Sequence, residues 1–231
     1  MRTQPTLKFR HELKYYITEA DYLTIRSRLR QIADSDPHAG PDGTYLIRSL
    51  YFETPNDKVL QEKLTGIKNR EKFRIRLYNG DDSFIRLEKK MKIANATAKV
   101  SCAVTRAECE RILAGDTAWM LGDSRELLNE LYAKMKYEQL RPKTIVDYSR
   151  ECFIYAPGNV RITIDSKIKT GITSIKLFDT NLPMTTPFGI TVIIMEVKFD
   201  QYLPSIIKAM VQLPNRRVTA FSKYASARMY G

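Results

Sequence analysis

Residues 70–78 read Arg-Glu-Lys-Phe-Arg-Ile-Arg-Leu-Tyr, and the alternation in this run constrains the fold more than any other feature of the chain. Successive side chains of an extended strand point to opposite faces. Arg70, Lys72, Arg74 and Arg76 therefore share one face, about 6.6 Å apart along the strand, while Phe73, Ile75 and Leu77 share the other. The pattern recurs. Phe84–Lys92 places Arg86, Glu88, Lys90 and Lys92 against Ile85, Leu87 and Met91. The first strand candidate places Arg10, Glu12 and Lys14 against Phe9 and Leu13, and the last places Glu196, Lys198 and Asp200 against Met195, Val197 and Phe199. Arg150, Arg161 and Asp165 fall in two further strand candidates. Like charges on neighbouring strands repel unless something screens them. The glutamates are too few to neutralise the rows, so solvent or a polyanion must. The apolar faces must be covered, and helices are available to cover them. If the sheet curves closed, its charged faces converge on a lumen suited to a linear polyanion.

The periodicity predicts strands at Leu7–Ile17, Tyr45–Glu53, Glu71–Tyr78, Ser83–Ile93, Ala98–Val104, Thr144–Tyr155, Val160–Ile168 and Thr191–Asp200, with a short one at Lys176–Asp179. Asn79-Gly80 reads as a hairpin turn, and residues 155–159 as another. Helical spacing appears over 19–33 behind Thr18, over 106–114 behind a Thr105/Glu108 capping box, over 124–136 and over 204–213. So many strands, so closely spaced, make an α+β chain with an antiparallel barrel or sandwich rather than βαβ repeats. The segment 220–231 holds Ser222 and Lys223 in a short amphipathic stretch that can close one mouth of a barrel.

Charge and motif content narrow the function. Lys plus Arg number 38 against 26 Asp plus Glu, a net charge of +12 over 231 residues, which suits anionic partners. No P-loop, no GxGxxG after a strand and no GxSxG elbow is present. Two histidines exclude a multi-histidine metal centre, and Cys102, Cys109 and Cys152 are not spaced as zinc ligands. No run approaches the ~20 apolar residues of a membrane helix, and the N-terminus lacks a signal-peptide core, so a reducing cytoplasm is expected. Nucleic acid is disfavoured. The 124–138 helix mixes Arg125, Lys134 and Lys136 with Glu126, Glu130 and Glu138, and the basic faces alternate with glutamates and offer few aromatics. Glu-x-Lys recurs at Glu12/Lys14, Glu88/Lys90 and Glu196/Lys198. Hard carboxylate oxygens of this kind suit Mg²⁺ or Mn²⁺.

RHELKYYI (10–17), RSLYFET (48–54), REKFRIRLY (70–78), LEKK (87–90), AKVS (98–101), YSR (148–150), VRITID (160–165), MEVKFD (195–200) and FSKY (221–224) occur in that order. Through this ordered set the chain resembles the polyphosphate polymerase (VTC) domain of the vacuolar transporter chaperone family, within the triphosphate tunnel metalloenzyme superfamily. The resemblance implies one tunnel domain over residues 1–231, a closed eight-stranded antiparallel β-barrel with helices packed outside. It implies phosphate contacts from Lys14, Arg74, Arg76, Lys90, Lys99, Tyr148, Arg150, Arg161, Lys198, Ser222 and Lys223. Among these, Arg74, Arg76 and Lys223 are the candidates for catalysis. Glu196 would hold Mn²⁺ or Mg²⁺, with Glu12 and Glu88 as further acidic candidates. The expected substrates are ATP, triphosphate or polyphosphate. Three activities stay open: ATP-dependent polyphosphate synthesis, hydrolysis of tripolyphosphate or nucleoside triphosphate, and binding of polyphosphate without turnover.

Overall fold

The computed structural model describes residues 9–94, 96–214 and 217–230, so the predicted start of the first strand at Leu7 lies outside the described residues. Among these, one antiparallel sheet organises the chain. Its strands are β1 (His11–Ile17), β2 (Asp34–Ser35), β3 (Thr44–Glu53), β4 (Arg70–Tyr78), β5 (Asp81–Ile93), β6 (Ala96–Val104), β7 (Arg141–Tyr155), β8 (Val160–Thr170) and β9 (Ile193–Phe199). They run in the order β1-β9-β8-β7-β3-β4-β5-β6, with β2 paired to β7 outside that path. The helices are α1 (Glu19–Leu29), α2 (Lys58–Leu64), α3 (Arg106–Leu113), α4 (Glu126–Tyr137), α5 (Ser205–Val211) and α6 (Lys223–Tyr230).

The sheet curls into a half-barrel, and the closed barrel expected from the sequence is not formed. Its outer strands, β1 and β6, meet only at an isolated bridge between Arg10 and Thr97. The free edge of β1 is used elsewhere: Thr219 donates its N–H to the Lys14 carbonyl at 2.8 Å, and Val218 bridges Tyr15. The C-terminal segment thus occupies backbone groups that a β1–β6 ladder would need. Register shifts at Tyr51/Phe52, Arg76/Tyr78 and Asp147/Ser149 interrupt three ladders, which is how bulged strands bend.

Alternation sorts the faces as expected. The convex face is apolar and carries two clusters. In one, Leu127, Leu128 and Leu131 of α4 and Ile112 of α3 pack with Phe73, Ile75 and Leu87. In the other, Ile25 and Leu29 of α1 and Ile207 of α5 pack with Ile162, Ile164, Met195 and Val197. The expectation that all helices lie outside does not hold. Tyr224, Ala225 and Ala227 of α6, with Leu60 of α2, pack with Tyr45, Ile47, Tyr51 and Tyr148, whose side chains belong to the concave face.

Local signals explain most element boundaries. Thr18 and Thr105 close full capping boxes with Asp21 and Glu108. Asn79 and Gly80 both take positive φ, 53° and 72°, as a two-residue hairpin turn of this kind requires. Gly158 also has positive φ, and a Cβ there would lie 2.7 Å from the Tyr202 carbonyl, so the turn before β8 has room for glycine alone. The predicted strand at Lys176–Asp179 is irregular chain. Truncating Leu128, a fully buried residue of α4, to alanine should lower stability by about 2–5 kcal/mol. Urea unfolding of the Leu128→Ala protein measures it as a lower midpoint at unchanged m-value.

Candidate active site on the concave face

The concave face gathers its cations around three carboxylate positions. The first is Glu88 of β5, almost fully buried. Arg74, its register partner on β4, reaches Glu88 Oε2 at 2.6 and 2.7 Å from Nη2 and Nε. Lys99 of β6 reaches Oε1 at 2.9 Å, and Arg76 lies 3.5 Å from Oε2. Burial alone would raise the Glu88 pKa, but Arg74, Arg76 and Lys99 outweigh it and hold the carboxyl well below its usual range. Arg76 also donates to Tyr148 Oη at 2.9 Å and to Ser49 Oγ at 3.2 Å, and Arg74 donates to Tyr51 Oη at 3.2 Å. Burial pushes the Tyr51 hydroxyl up, yet Arg74, Lys72 and Arg76 together bring it down to about 7.

The second is Asp165 of β8, fully buried. Arg150 of β7 faces it in register and forks onto both of its oxygens at 2.6 and 2.8 Å. Lys223, the first residue of α6, donates to the same carboxylate and sits 4.5 Å from the Tyr148 ring centroid. The Arg150 guanidinium lies 5.3 Å from that ring. Burial opposes ionisation of Asp165, but Arg150 and Lys223 dominate and keep its pKa below the ordinary carboxylate range.

The third is the pair Glu12 of β1 and Glu196 of β9. Lys90 reaches across to Glu12 at 2.6 and 2.7 Å, whereas Lys14 and Lys198 approach Glu196 Oε1 only to 3.7 and 3.6 Å. Burial would raise the Glu196 pKa, and Lys14, Lys198 and Lys90 hold it well below normal. Burial lowers Lys198 to about 8 despite Glu196 and Glu12. Burial also lowers Lys72 to about 7, with repulsion from Lys90, Arg74 and Lys14 opposing the attraction of Tyr51.

The structure therefore brings Lys14, Arg74, Arg76, Lys90, Lys99, Tyr148, Arg150, Lys198 and Lys223 onto one concave surface. Arg161 stands nearer the β2 end, where it donates to Asp36 at 2.6 Å and to Tyr45 Oη at 3.1 Å. Ser222 opens α6: its hydroxyl accepts the Ala225 N–H at 3.4 Å and its carbonyl accepts the Ser226 N–H at 2.9 Å. Tyr51 and Asp36 join the site without having been singled out from sequence, as do Lys72 and Asp165, which the sequence pattern placed on charged strand faces but not among the site residues. Lys72 belonged to the cationic row of residues 70–78, Asp165 shared a strand face with Arg161, and Tyr51 lies on a strand predicted by range alone. Asp36 sits just beyond the two-residue β2 in an irregular stretch, where no periodicity reports its direction.

The acidic residues differ in their fitness for a divalent cation. Both Glu88 oxygens are in ion pairs with Arg74 and Lys99. Glu196 Oε1 is buried and accepts no hydrogen bond, and the same holds for Oγ1 of Thr163, its register partner on β8. Buried oxygens that accept no hydrogen bond are uncommon, and an ordered water, a ligand or an ion is what ordinarily completes them. Among the described residues, no group of three His, Cys, Asp or Glu side chains could hold a metal. One or two carboxylates completed by substrate phosphates and water is the donor set that Mg²⁺ ordinarily takes, so Glu196 fits such an ion, and Glu12 fits it only by giving up Lys90, which holds both of its oxygens.

A family model described as the VTC domain matches residues 9–230, and the chain belongs to that family. No curated protein matches it. Among solved structures, a protein from Bacillus halodurans provisionally named an adenylate cyclase is similar at 15% identity, with 84% of this chain and 82% of that chain covered and a TM-score of 0.53. A Hippeastrum protein provisionally named an adenylyl cyclase, and described as having a dominant triphosphatase activity, is 12% identical over 82% of this chain and 79% of its own, with a TM-score of 0.46. Among the described residues, no helix is long and apolar enough to cross a membrane.

Replacing Asp165 by asparagine strands Arg150 and Lys223 beside a neutral group. The expected loss is about 3–5 kcal/mol at pH 7. Because Asp165 titrates below its unfolded value, its contribution is complete above about pH 4 and fades as the pH falls toward the depressed folded value. Urea midpoints of the wild type and Asp165→Asn should therefore converge below about pH 4. A gap that stays constant down to acid would refute the pairing.

Proposed function

We propose that this VTC-domain protein catalyses metal-dependent phosphoryl transfer from a triphosphate laid along the concave face, with the end of a linear polyphosphate as acceptor. The observation that carries the reading is the excess of fixed cations over carboxylates on that face, anchored by Glu88, Asp165 and the Glu12/Glu196 pair. Phosphoryl transfer asks little covalent chemistry of a protein. It needs the phosphate oxygens placed and their charge offset in the transition state. Arg74, Arg76, Arg150 and Lys223 are held by carboxylates and by the Tyr51, Ser49 and Tyr148 hydroxyls and ring, so their orientation costs little at the moment of reaction. Lys14, Lys90 and Lys198 would offset the remaining phosphate charge. Glu196 with Glu12 would hold Mg²⁺ or Mn²⁺, which when bound neutralises phosphate oxygens and polarises the phosphorus centre.

One feature favours a phosphate chain as acceptor. Beyond Arg74 the β4 row continues to Lys72 and Arg70, with Lys92 opposite Arg70, and none of the three makes an ion pair with a described carboxylate. That extension provides cations for phosphates beyond a third. The open β1–β6 seam favours a second reading, in which water enters and the same site hydrolyses triphosphate.

The deciding experiment incubates the purified protein with ATP and Mn²⁺ or Mg²⁺ and follows ADP, free phosphate and long-chain polyphosphate together. Polyphosphate with ADP supports the synthetic reading, free phosphate alone supports hydrolysis, and absence of both from ATP and from tripolyphosphate leaves a binding module. Glu196→Gln should abolish metal-dependent turnover while the protein stays folded and still binds tripolyphosphate; unchanged turnover would overturn the metal assignment. Binding should also take up protons at pH 8, because an anion raises the depressed Lys198 and Lys72. Calorimetry in buffers of different ionisation heat measures this as a buffer-dependent enthalpy, and a buffer-independent enthalpy would contradict it.

A further inference from the structure

The concave row of β4 changes character along its length. It runs Arg70, Lys72, Arg74, Arg76 and ends on an aromatic ring, Tyr78. Tyr78 is half-buried, its centroid 5.9 Å from the Phe84 ring and 6.1 Å from the Tyr45 ring. Phe84 is 52% exposed although it sits at the rim of a strongly charged face. Two guanidiniums frame these rings: Arg76 lies 5.9 Å from the Tyr78 centroid and Arg86 lies 5.8 Å from the Phe84 centroid. Arg76 and Arg86 are themselves register partners. The same Arg76 that bonds Tyr148 inside the phosphate site therefore borders the aromatic rim. At the opposite end the row meets Arg70, Lys92 and Lys63, which repel one another; burial and this repulsion lower Lys63.

We propose that Phe84, with Tyr78 and Arg86, forms a nucleobase subsite, so that a nucleoside triphosphate binds with its base stacked on Phe84 and its phosphates running along β4 toward Lys72. The proposal rests on the phosphate-binding reading above and fixes the head group and its direction. An exposed phenylalanine flanked by a tyrosine and an arginine gives a base a π-face platform with a cation beside it. The Arg76 guanidinium lies 5.9 Å from the Tyr78 ring centroid, a span that a ribose bridges. The opposite end presents Arg70, Lys92 and Lys63 and suits phosphate instead. A single-stranded nucleic acid would need exposed platforms repeated along the cationic row, whereas Tyr51 and Tyr148 among the inner cations are buried and the exposed Phe84 ring stands at one end, so the ligand is a mononucleotide. Stacking reads the face of a base and not its edge, so adenine and guanine are served alike.

The test is calorimetric binding, at fixed Mg²⁺, of the β,γ-imido analogues of ATP and GTP and of imidotriphosphate, to wild type, Phe84→Ala and Phe84→Trp. Phe84→Ala should weaken both nucleotides about tenfold, within the range lost when a stacking ring is removed. It should leave imidotriphosphate unchanged, and Phe84→Trp should restore nucleotide affinity. Nucleotide affinity unaffected by Phe84→Ala overturns the proposal. So does equal weakening of all three ligands, or a wild type that binds nucleotides no more tightly than imidotriphosphate. A wild type that binds none of the three refutes the phosphate-binding reading itself, and this subsite with it.

Discussion

A sheet face that carries rows of arginine and lysine must find counter-charge, and the rest of this structure depends on how it does so. A buried guanidinium left without a partner costs several kcal/mol. Here each strand pair that brings cations together also brings a carboxylate: Glu88 between β4 and β6, Asp165 opposite Arg150, and Glu196 with Glu12 along β1 and β9. These pairs fix which faces turn inward and hold the guanidiniums in single orientations. They leave the strands' opposite faces free to be apolar and to accept α1, α3, α4 and α5. The C-terminal segment completes the arrangement, because α6 begins with Lys223 on Asp165 and continues with Tyr224 against the concave aromatics.

The same pairs explain how a structural solution becomes a chemical one. Neutralisation is only partial, so the concave face stays cationic and electrostatically frustrated. Depressed Lys72 and Lys198, a Tyr51 hydroxyl brought down to about 7, and an orphaned Glu196 oxygen are local signs of that frustration. On the proposed function, a polyphosphorylated anion would offset the charge of the lysines and a divalent cation would take up the Glu196 oxygen. Groups already oriented by Glu88 and Asp165 then meet developing charge without rearranging.

Much of this was legible in the sequence, because a period of two is enough to assign a strand face. The rows in β1, β4, β5 and β9, the Asn79-Gly80 turn, the Thr18 N-cap and the Thr105/Glu108 capping box are all local signals. What was not legible is non-local. Closure fails because residues 218 and 219 take up the β1 edge, a competition that no strand pattern reports. Helix α2 escaped notice because Asp57, at its N-cap, adopts a left-handed conformation and makes no side-chain cap. The concave position of α6 depends on Lys223 finding Asp165 across 58 residues of chain. Asp36 lies in irregular chain that no periodicity reports, and the pairing of Thr163 with Glu196 emerges only from register, which alternation leaves undetermined.

The most direct measurement is the crystal structure of the protein soaked with tripolyphosphate and Mn²⁺, with anomalous scattering used to place the metal. The account predicts phosphates in contact with Arg74, Arg76, Arg150 and Lys223, and a manganese peak against Glu196. A triphosphate bound on the convex face, or a metal held by residues other than Glu196 and Glu12, would contradict it.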